Sequence, residues 1–229
     1  WTLLTYVASR TQHIRVSGNV LNLPLRQPAV LARAAASLDL LSGGRFEMGL
    51  GAGGFWDAIE AMGGRRLTAG QSIQALEEAI EIMRLLWDAK ERSGARLDGK
   101  FYQVRGARRG PAPAHKIEIW LGAYKPKILD LTGRKADGWL PTVAYLENGL
   151  PSLAEMNAHI DAGAEKAGRP ATSVRRMLNI NGQFTSNSNG FLVGPPQQWA
   201  EPLAELTFTY GIRTFLLAVA ASAAIELYA

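Results

Sequence analysis

The strongest constraint on this 229-residue chain is an alternation: short β-branched and apolar runs are each followed by a longer stretch whose apolar residues recur every three or four positions. Period two giving way to period 3.6 marks βα units, which lay successive strands into a parallel sheet covered by helices. The strand-like runs are Ile14 to Val20, Arg45 to Gly51, Ile117 to Leu121, Gly138 to Pro141, Arg176 to Asn181 and Thr214 to Ala218. The helical stretches begin with Pro28 to Leu41, opened by proline and closed by Ser42-Gly43-Gly44. They continue at about 69–89, 127–134, 152–167 and 197–210, with a final helix after Ala218. Leu3 to Ala8 reads as the end of a helix, residues 55–68 as a loop, and Leu97 to Pro113, punctuated by Gly and Pro, as an excursion or small hairpin.

Six strands, each followed by a helix and with no break in composition, fit a closed (β/α)8 barrel better than two domains. The expected fold class is therefore α/β, a (β/α)8 barrel, with residues 1–229 forming one domain. Eight strands less six leaves two, and the leading helix places them upstream of Trp1, where the chain starts without Met or a signal-peptide pattern. A doubly wound open sheet is the alternative on pattern alone. In the 69–89 helix, Ile73, Leu76, Ile80, Met83 and Trp87 predict a buried stripe, with Glu77, Glu78, Glu81 and Arg84 facing water or neighbouring loops. On the 28–41 helix, Ala32, Ala35 and Ala36 allow close approach, to the sheet by preference or to a second copy in a homodimer.

With 47% apolar and 20% charged residues the chain is an ordinary globular one, and no apolar run is long enough to span a bilayer. The net charge of +5 is scattered, Arg105, Arg108 and Arg109 being the one loose cluster, so no nucleic-acid partner is expected. The absence of cysteine excludes disulfides, a thiolate nucleophile and zinc-thiolate sites, and fits a cytoplasmic protein. Redox chemistry here would need a bound cofactor.

A barrel of this kind carries its active site at the C-terminal ends of its strands. His13 and His115 precede strands and His159 lies within a helix, so no catalytic histidine or His-based metal site is argued from them. The strand ends themselves are poor in acids and rich in Gly, amides and aromatics: Asn19 to Asn22, Gly51 to Asp57, Gly122 to Lys125, Pro141 to Thr142 and Asn181 to Gln183. Such groups suit a planar cofactor that brings its own electron chemistry, although glycines there also serve as plain turn formers. Gly49, Gly51 and Gly54 fit G-x-G-x-x-G, but no helix opens at once and no strand ending in an acid follows about 20 residues on, so the dinucleotide reading is weak. At Gly122-Ala123-Tyr124-Lys125-Pro126-Lys127 a strand enters a helix whose first amides are unsatisfied, and with two lysines beside them this is a candidate phosphate seat or else a simple turn.

The run QPAVLARAAASLDLLSGGRFEMGLGAG (27–53) resembles the signature stretch of the bacterial luciferase-like oxidoreductases. GAYKPKILDLTGRKADGW (122–139) is similar to a second signature of that family, and GFLVGPPQQWAEPLAEL (190–206) to its late loop and helix. The resemblance implies a (β/α)8 barrel holding FMN or the deazaflavin coenzyme F420, and a cis peptide at or near Asn19-Val20. It implies cofactor contacts at Asn19, Val20, Gly51, Ala52, Gly53, Gly122, Ala123, Tyr124 and Lys125. Phe55 and Trp56 would border the substrate, a small organic molecule. The glycine-rich run after Gly53 and the turn at Gly122 look closer to deazaflavin-using members than to the long-chain luciferases. The implied activity is hydride transfer or oxygen-dependent oxidation, the alternative being a non-catalytic barrel that binds a flavin or other small ligand. The family's acids and histidines from its first two strands are not identified in this sequence, so its catalytic residues stay unassigned.

Overall fold

The computed structural model describes residues 1–218, so the helix expected after Ala218 lies outside the described residues. The chain divides into two compact units, Trp1–Gly122 and Ala123–Ala229.

The first unit opens with α1 (Thr2–Arg10). Arg45 fixes its C-terminal end, donating to the carbonyls of Ala8, Thr11 and Ile14 at 2.7, 2.9 and 2.7 Å. The strand expected at Ile14 to Val20 is in fact two, β1 (Val16–Ser17) and β2 (Leu21–Asn22), both parallel to β3 (Phe46–Gly51). Their register gives the reason. Ser17 pairs with Glu47 and Leu21 with Leu50, so four steps (21 − 17) oppose three (50 − 47), and one residue bulges out. The bulge presses onto β3 where β3 has no side chain. A Cβ at Gly49 would lie 1.8 Å from the Gly18 carbonyl oxygen, and one at Gly51 2.7 Å from Val20 Cγ2.

Between these strands α2 (Pro28–Ser42) begins on proline and ends on Gly43 in the left-handed conformation, as expected. Its Ala32, Ala35 and Ala36 are buried within their own unit. After β3, a short helix α3 (Trp56–Ala61) stands where the sequence suggested only loop, because six residues are too few to show a helical period. The long helix α4 (Ala69–Trp87) starts at a capping box formed by Thr68 and Gln71. Leu76, Ile80 and Met83 are buried as expected, joined by Ala75, Ala79, Ile82 and Leu86, so the stripe is broader than the one read. Ile73 and Trp87, at its ends, are half-buried, and Trp87 donates its indole N–H to the Ala32 carbonyl at 2.8 Å. The excursion is an antiparallel hairpin, β4 (Ala95–Asp98) with β5 (Gln103–Ala107). Its tip is held by Glu78, whose carboxylate accepts the amides of Lys100, Phe101 and Tyr102 at 2.9, 2.9 and 3.0 Å. The unit closes with β6 (Ile119–Leu121), parallel to β3.

The second unit runs α5 (Pro126–Lys135), β7 (Gly138–Trp139), α6 (Ser152–Lys166), β8 (Arg175–Asn181), β9 (Gln183–Phe184), β10 (Val193–Gly194), α7 (Pro196–Tyr210) and β11 (Thr214–Ala218). β7 and β11 flank β8, both parallel to it, as the βα alternation requires. β9 and β10 pair with each other in two-residue strands that no pattern revealed. Trp139, Leu153, Ile160, Leu178 and Ile212 form the centre of the apolar core. α5 crosses α6 backbone to backbone: a Cβ at Gly133 would stand 2.0 Å from the Ile160 carbonyl oxygen, and one at Gly163 2.4 Å from that of Asp130. Arg169 caps the end of α5, donating to the carbonyls of Gly133 and Ala136 at 2.8 and 2.7 Å.

Since neither backbone can yield to a methyl group without separating the helices, Gly133→Ala should lower the unfolding free energy by about 3 kcal/mol. Urea denaturation followed by circular dichroism measures this, and a loss under about 1 kcal/mol would show that the helices slide apart at little cost.

Candidate cofactor site

In the first unit the bulge between β1 and β2 and the C-terminal end of β3 gather most of the expected residues. The Asn19–Val20 peptide is cis, as the resemblance implied. Val20 lies exposed over Gly51, which is itself buried with Ala52. Gly53 comes next, half-buried, and its Cα faces the Trp56 indole and the Pro24 ring. Leu121 pairs with Leu50, so Gly122 leaves β6 level with Gly51. Phe55 stands apart: it is 81% exposed, at the start of α3, with φ of 54° in the left-handed region that a bulky residue seldom adopts. The glycines thus have two jobs. Gly51 is required by the strand bulge, whereas nothing lies within 4 Å of where a Gly54 side chain would begin.

The second unit holds the expected residues Ala123, Tyr124 and Lys125. Ala123 is buried, and its carbonyl accepts the Trp139 indole N–H at 2.9 Å. The Tyr124 hydroxyl accepts the Thr142 amide at 2.9 Å, and its ring meets that of Tyr145 edge-on at 6.0 Å. Lys125 stands at the N-cap of α5, where Pro126 takes the first helical position. Its ammonium lies 2.6 Å from Glu147 Oε1, an open pair with side chains 68% and 73% exposed. An anion arriving there would meet a lysine already engaged, in a solvated contact of small net strength.

Tyr124 and Lys125 also line a cavity of about 210 Å³ together with Glu147, Ser152 and His159. The sequence pattern sets His159 aside because it lies inside a helix rather than at a strand end. The available signal was positional: residues 152, 155 and 159 recur at spacings of three and four, so one face of α6 presents Ser152, Glu155 and His159 together. Glu155 lies 3.8 Å from His159 on that face. Asn179 of β8 bonds through its carboxamide to the Pro141 carbonyl and the Thr142 hydroxyl at 3.3 and 3.2 Å, tying β8 to one of the strand ends read from the sequence.

Chemically the first unit's strand ends offer backbone donors and apolar and aromatic walls, and the second unit offers backbone donors, the Lys125 ammonium paired with Glu147, and the Glu155 and His159 side chains. Among the described residues no cluster of His, Asp and Glu could hold a metal ion, and no helix is long and apolar enough to cross a membrane. The arrangement fits a ligand that carries its own reactivity.

Comparison with known proteins bears on this directly. Residues 1–189 match the family described as luciferase-like monooxygenase. The chain is 33% identical over 184 residues to an F420-dependent glucose-6-phosphate dehydrogenase of Nocardia farcinica, covering 76% of this chain and 51% of that protein. It is 33% identical over 171 residues to a 5,10-methylenetetrahydromethanopterin reductase of Archaeoglobus fulgidus, covering 74% and 47%. The chain thus spans about half the length of the curated relatives it matches. Among solved structures, an F420-dependent secondary alcohol dehydrogenase in complex with an F420-acetone adduct superposes with TM-score 0.83 at 16% identity, covering 95% of this chain and 77% of that one. A long-chain alkane monooxygenase superposes at 0.82 with 15% identity, covering 99% and 70%. The fold class is that of the luciferase-like (β/α)8 barrels.

Tyr124→Phe should leave the Thr142 amide without its acceptor and lower the unfolding free energy by about 1 kcal/mol, with the denaturant slope unchanged. A neutral substitution in urea titration would mean that water replaces the hydroxyl without loss.

Proposed function

The chain belongs to the luciferase-like monooxygenase family, and from that premise we propose that it serves a flavin- or deazaflavin-dependent oxidoreductase acting on a small organic molecule. The observation that carries this reading is the set of acid-poor strand ends, where a bulged strand and buried Gly51 and Ala52 leave smooth, uncharged backbone. Coenzyme F420 is preferred to FMN, in keeping with the names of several relatives more than 30% identical to this chain.

When bound, either cofactor supplies the hydride chemistry that no side chain here can perform. The protein's part is to bind, orient and exclude water. In the first unit Asn19 to Leu21 support the back of the ring, with Gly51, Ala52, Gly53 and Gly122 admitting it close to the backbone. Phe55 and Trp56 border the substrate. A left-handed backbone on an exposed phenylalanine costs of the order of 1–3 kcal/mol, and such outliers persist where they serve a site. In the second unit the amides of Ala123 and Tyr124 and the Lys125 ammonium hold the phosphate, Lys125 exchanging or sharing Glu147 as the anion binds.

The same reading takes residues 1–229 as one barrel domain of a cytoplasmic enzyme that uses a small-molecule substrate and neither nucleic acid nor membrane. It allows a homodimer through the exposed side of α2, where Val30, Leu40 and Leu41 face outward, since the alanine face is already used within the chain. A sedimentation experiment returning a strict monomer removes the dimer.

The absorption spectrum of full-length protein offered each cofactor tests the main reading, and failure to bind either overturns it. Lys125→Ala should weaken cofactor binding by about tenfold to a hundredfold, less at high salt, while Lys116→Ala, before β6, should change it little. Equal losses from both, or none from Lys125→Ala, would place the phosphate elsewhere. Phe55→Gly should leave stability unchanged or raise it by up to about 1 kcal/mol while lowering kcat/KM, and an unaltered kcat/KM would take Phe55 out of the site.

A further inference from the structure

At the N-terminal end of β3, away from the strand ends discussed above, four ionisable side chains converge from four segments of the first unit. Asp39 comes from α2, Glu47 from β3, His115 from the approach to β6 and Arg15 from the approach to β1. The two acids are sealed from solvent, Asp39 fully and Glu47 with a side chain 4% exposed. His115 sits between them. Its Nδ1 is 2.9 Å from Asp39 Oδ1 and its Nε2 is 3.1 Å from Glu47 Oε1.

The remaining contacts are equally specific. Asp39 accepts the backbone amides of Phe46 and His115 at 3.3 and 3.1 Å. Glu47 accepts the amide of Glu118 at 2.7 Å and pairs with Arg15, whose Nη1 also lies 3.2 Å from His115 Nε2. Glu118, which opposes Glu47 as a like charge, directs its own carboxylate to the Trp120 indole at 2.8 Å. Lys116, on the same segment as His115, makes contacts of its own.

An imidazole bearing one proton can donate to only one of two carboxylates; with that proton on Nδ1 the Nε2 lone pair can accept from Arg15 Nη1 but still faces Glu47 Oε1. With both nitrogens protonated it satisfies both acids and offsets one of their charges, which buried carboxylates require. We propose that His115 is a proton-operated clamp: doubly protonated it fastens α2, β3 and the approach to β6 to one another, and loss of that proton as pH rises loosens this end of the first unit.

Two shifts agree with the geometry. Burial disfavours the His115 cation, but its bonds to Glu47 and Asp39 outweigh this and raise its pKa above the usual 6.5. Burial also pushes Glu47 up, only partly countered by the Glu118 amide and His115. Both groups hold more proton in the folded chain than in the unfolded one. The His115 contribution is therefore full below the ordinary histidine value and is lost as pH rises through its folded value, whereas that of Glu47 is full only below the ordinary carboxylate value and is lost through its own raised value.

The test needs no cofactor and stands apart from the catalytic reading. Imidazole NMR titration of the full chain from about pH 5 to about pH 9 tracks three histidines, assigned with His13→Gln and His159→Gln. Urea midpoints are taken across the same range. The expected result is that His115 titrates above the ordinary histidine value and that the midpoint declines through that titration in the parent and in His13→Gln, with the decline lost in His115→Gln. A His115 titration at or below the ordinary value, or a decline unchanged in His115→Gln, overturns the proposal. Should His115→Gln not fold, the parent titration decides by the same criterion.

Discussion

The first unit depends on one close approach. The chain between β1 and β2 carries an extra residue, and the resulting bulge is driven against β3 so tightly that the Gly18 carbonyl occupies the space of a side chain at position 49. β3 can accept it only because glycine recurs there at positions 49 and 51, and β3 in turn pairs with β6 and lies buried along its whole length. A strand that must be smooth on one side and fully covered has little freedom in sequence. The same smoothness exposes Val20 above Gly51 and shapes the acid-poor end where a planar ligand would lie.

Much of this was legible. The alternation of periods predicted every long helix among the described residues, and α2 in particular announced both its ends through Pro28 and Gly43. The broken first strand was not predictable from pattern, because IRVSGNV has the composition of a continuous strand and its interruption is set by a partner some thirty positions away. The helix α3 was too short to show a period, and β9 and β10 are two-residue strands whose pairing depends on a long loop between them. Of the candidate site, the strand-end residues are those that stand just past the last residue of each strand, a rule that by construction overlooks side chains such as His159 arriving from a helix.

Charge is distributed along β3 in a way that separates two tasks. Its N-terminal end is crowded with Asp39, Glu47, His115 and Arg15, whose mutual bonds satisfy groups that burial would otherwise penalise. Its C-terminal end carries glycine and alanine and no acid until Asp57. One end is held by electrostatics and the other is left neutral. The second unit fastens itself differently, with two helices touching through glycine and an arginine closing the end of α5.

The hairpin of β4 and β5 is attached through its backbone. Glu78 grips three consecutive backbone amides at its tip, a carboxylate in a ring of N–H groups, and nothing in that grip depends on the identity of Lys100, Phe101 or Tyr102. The anchor lies on α4 and the face it leaves free lies on the hairpin. Such an attachment leaves positions 100–102 open to any side chain but proline, while position 99 is closed to all but glycine, since a Cβ there would stand 2.4 Å from Glu78 Oε2.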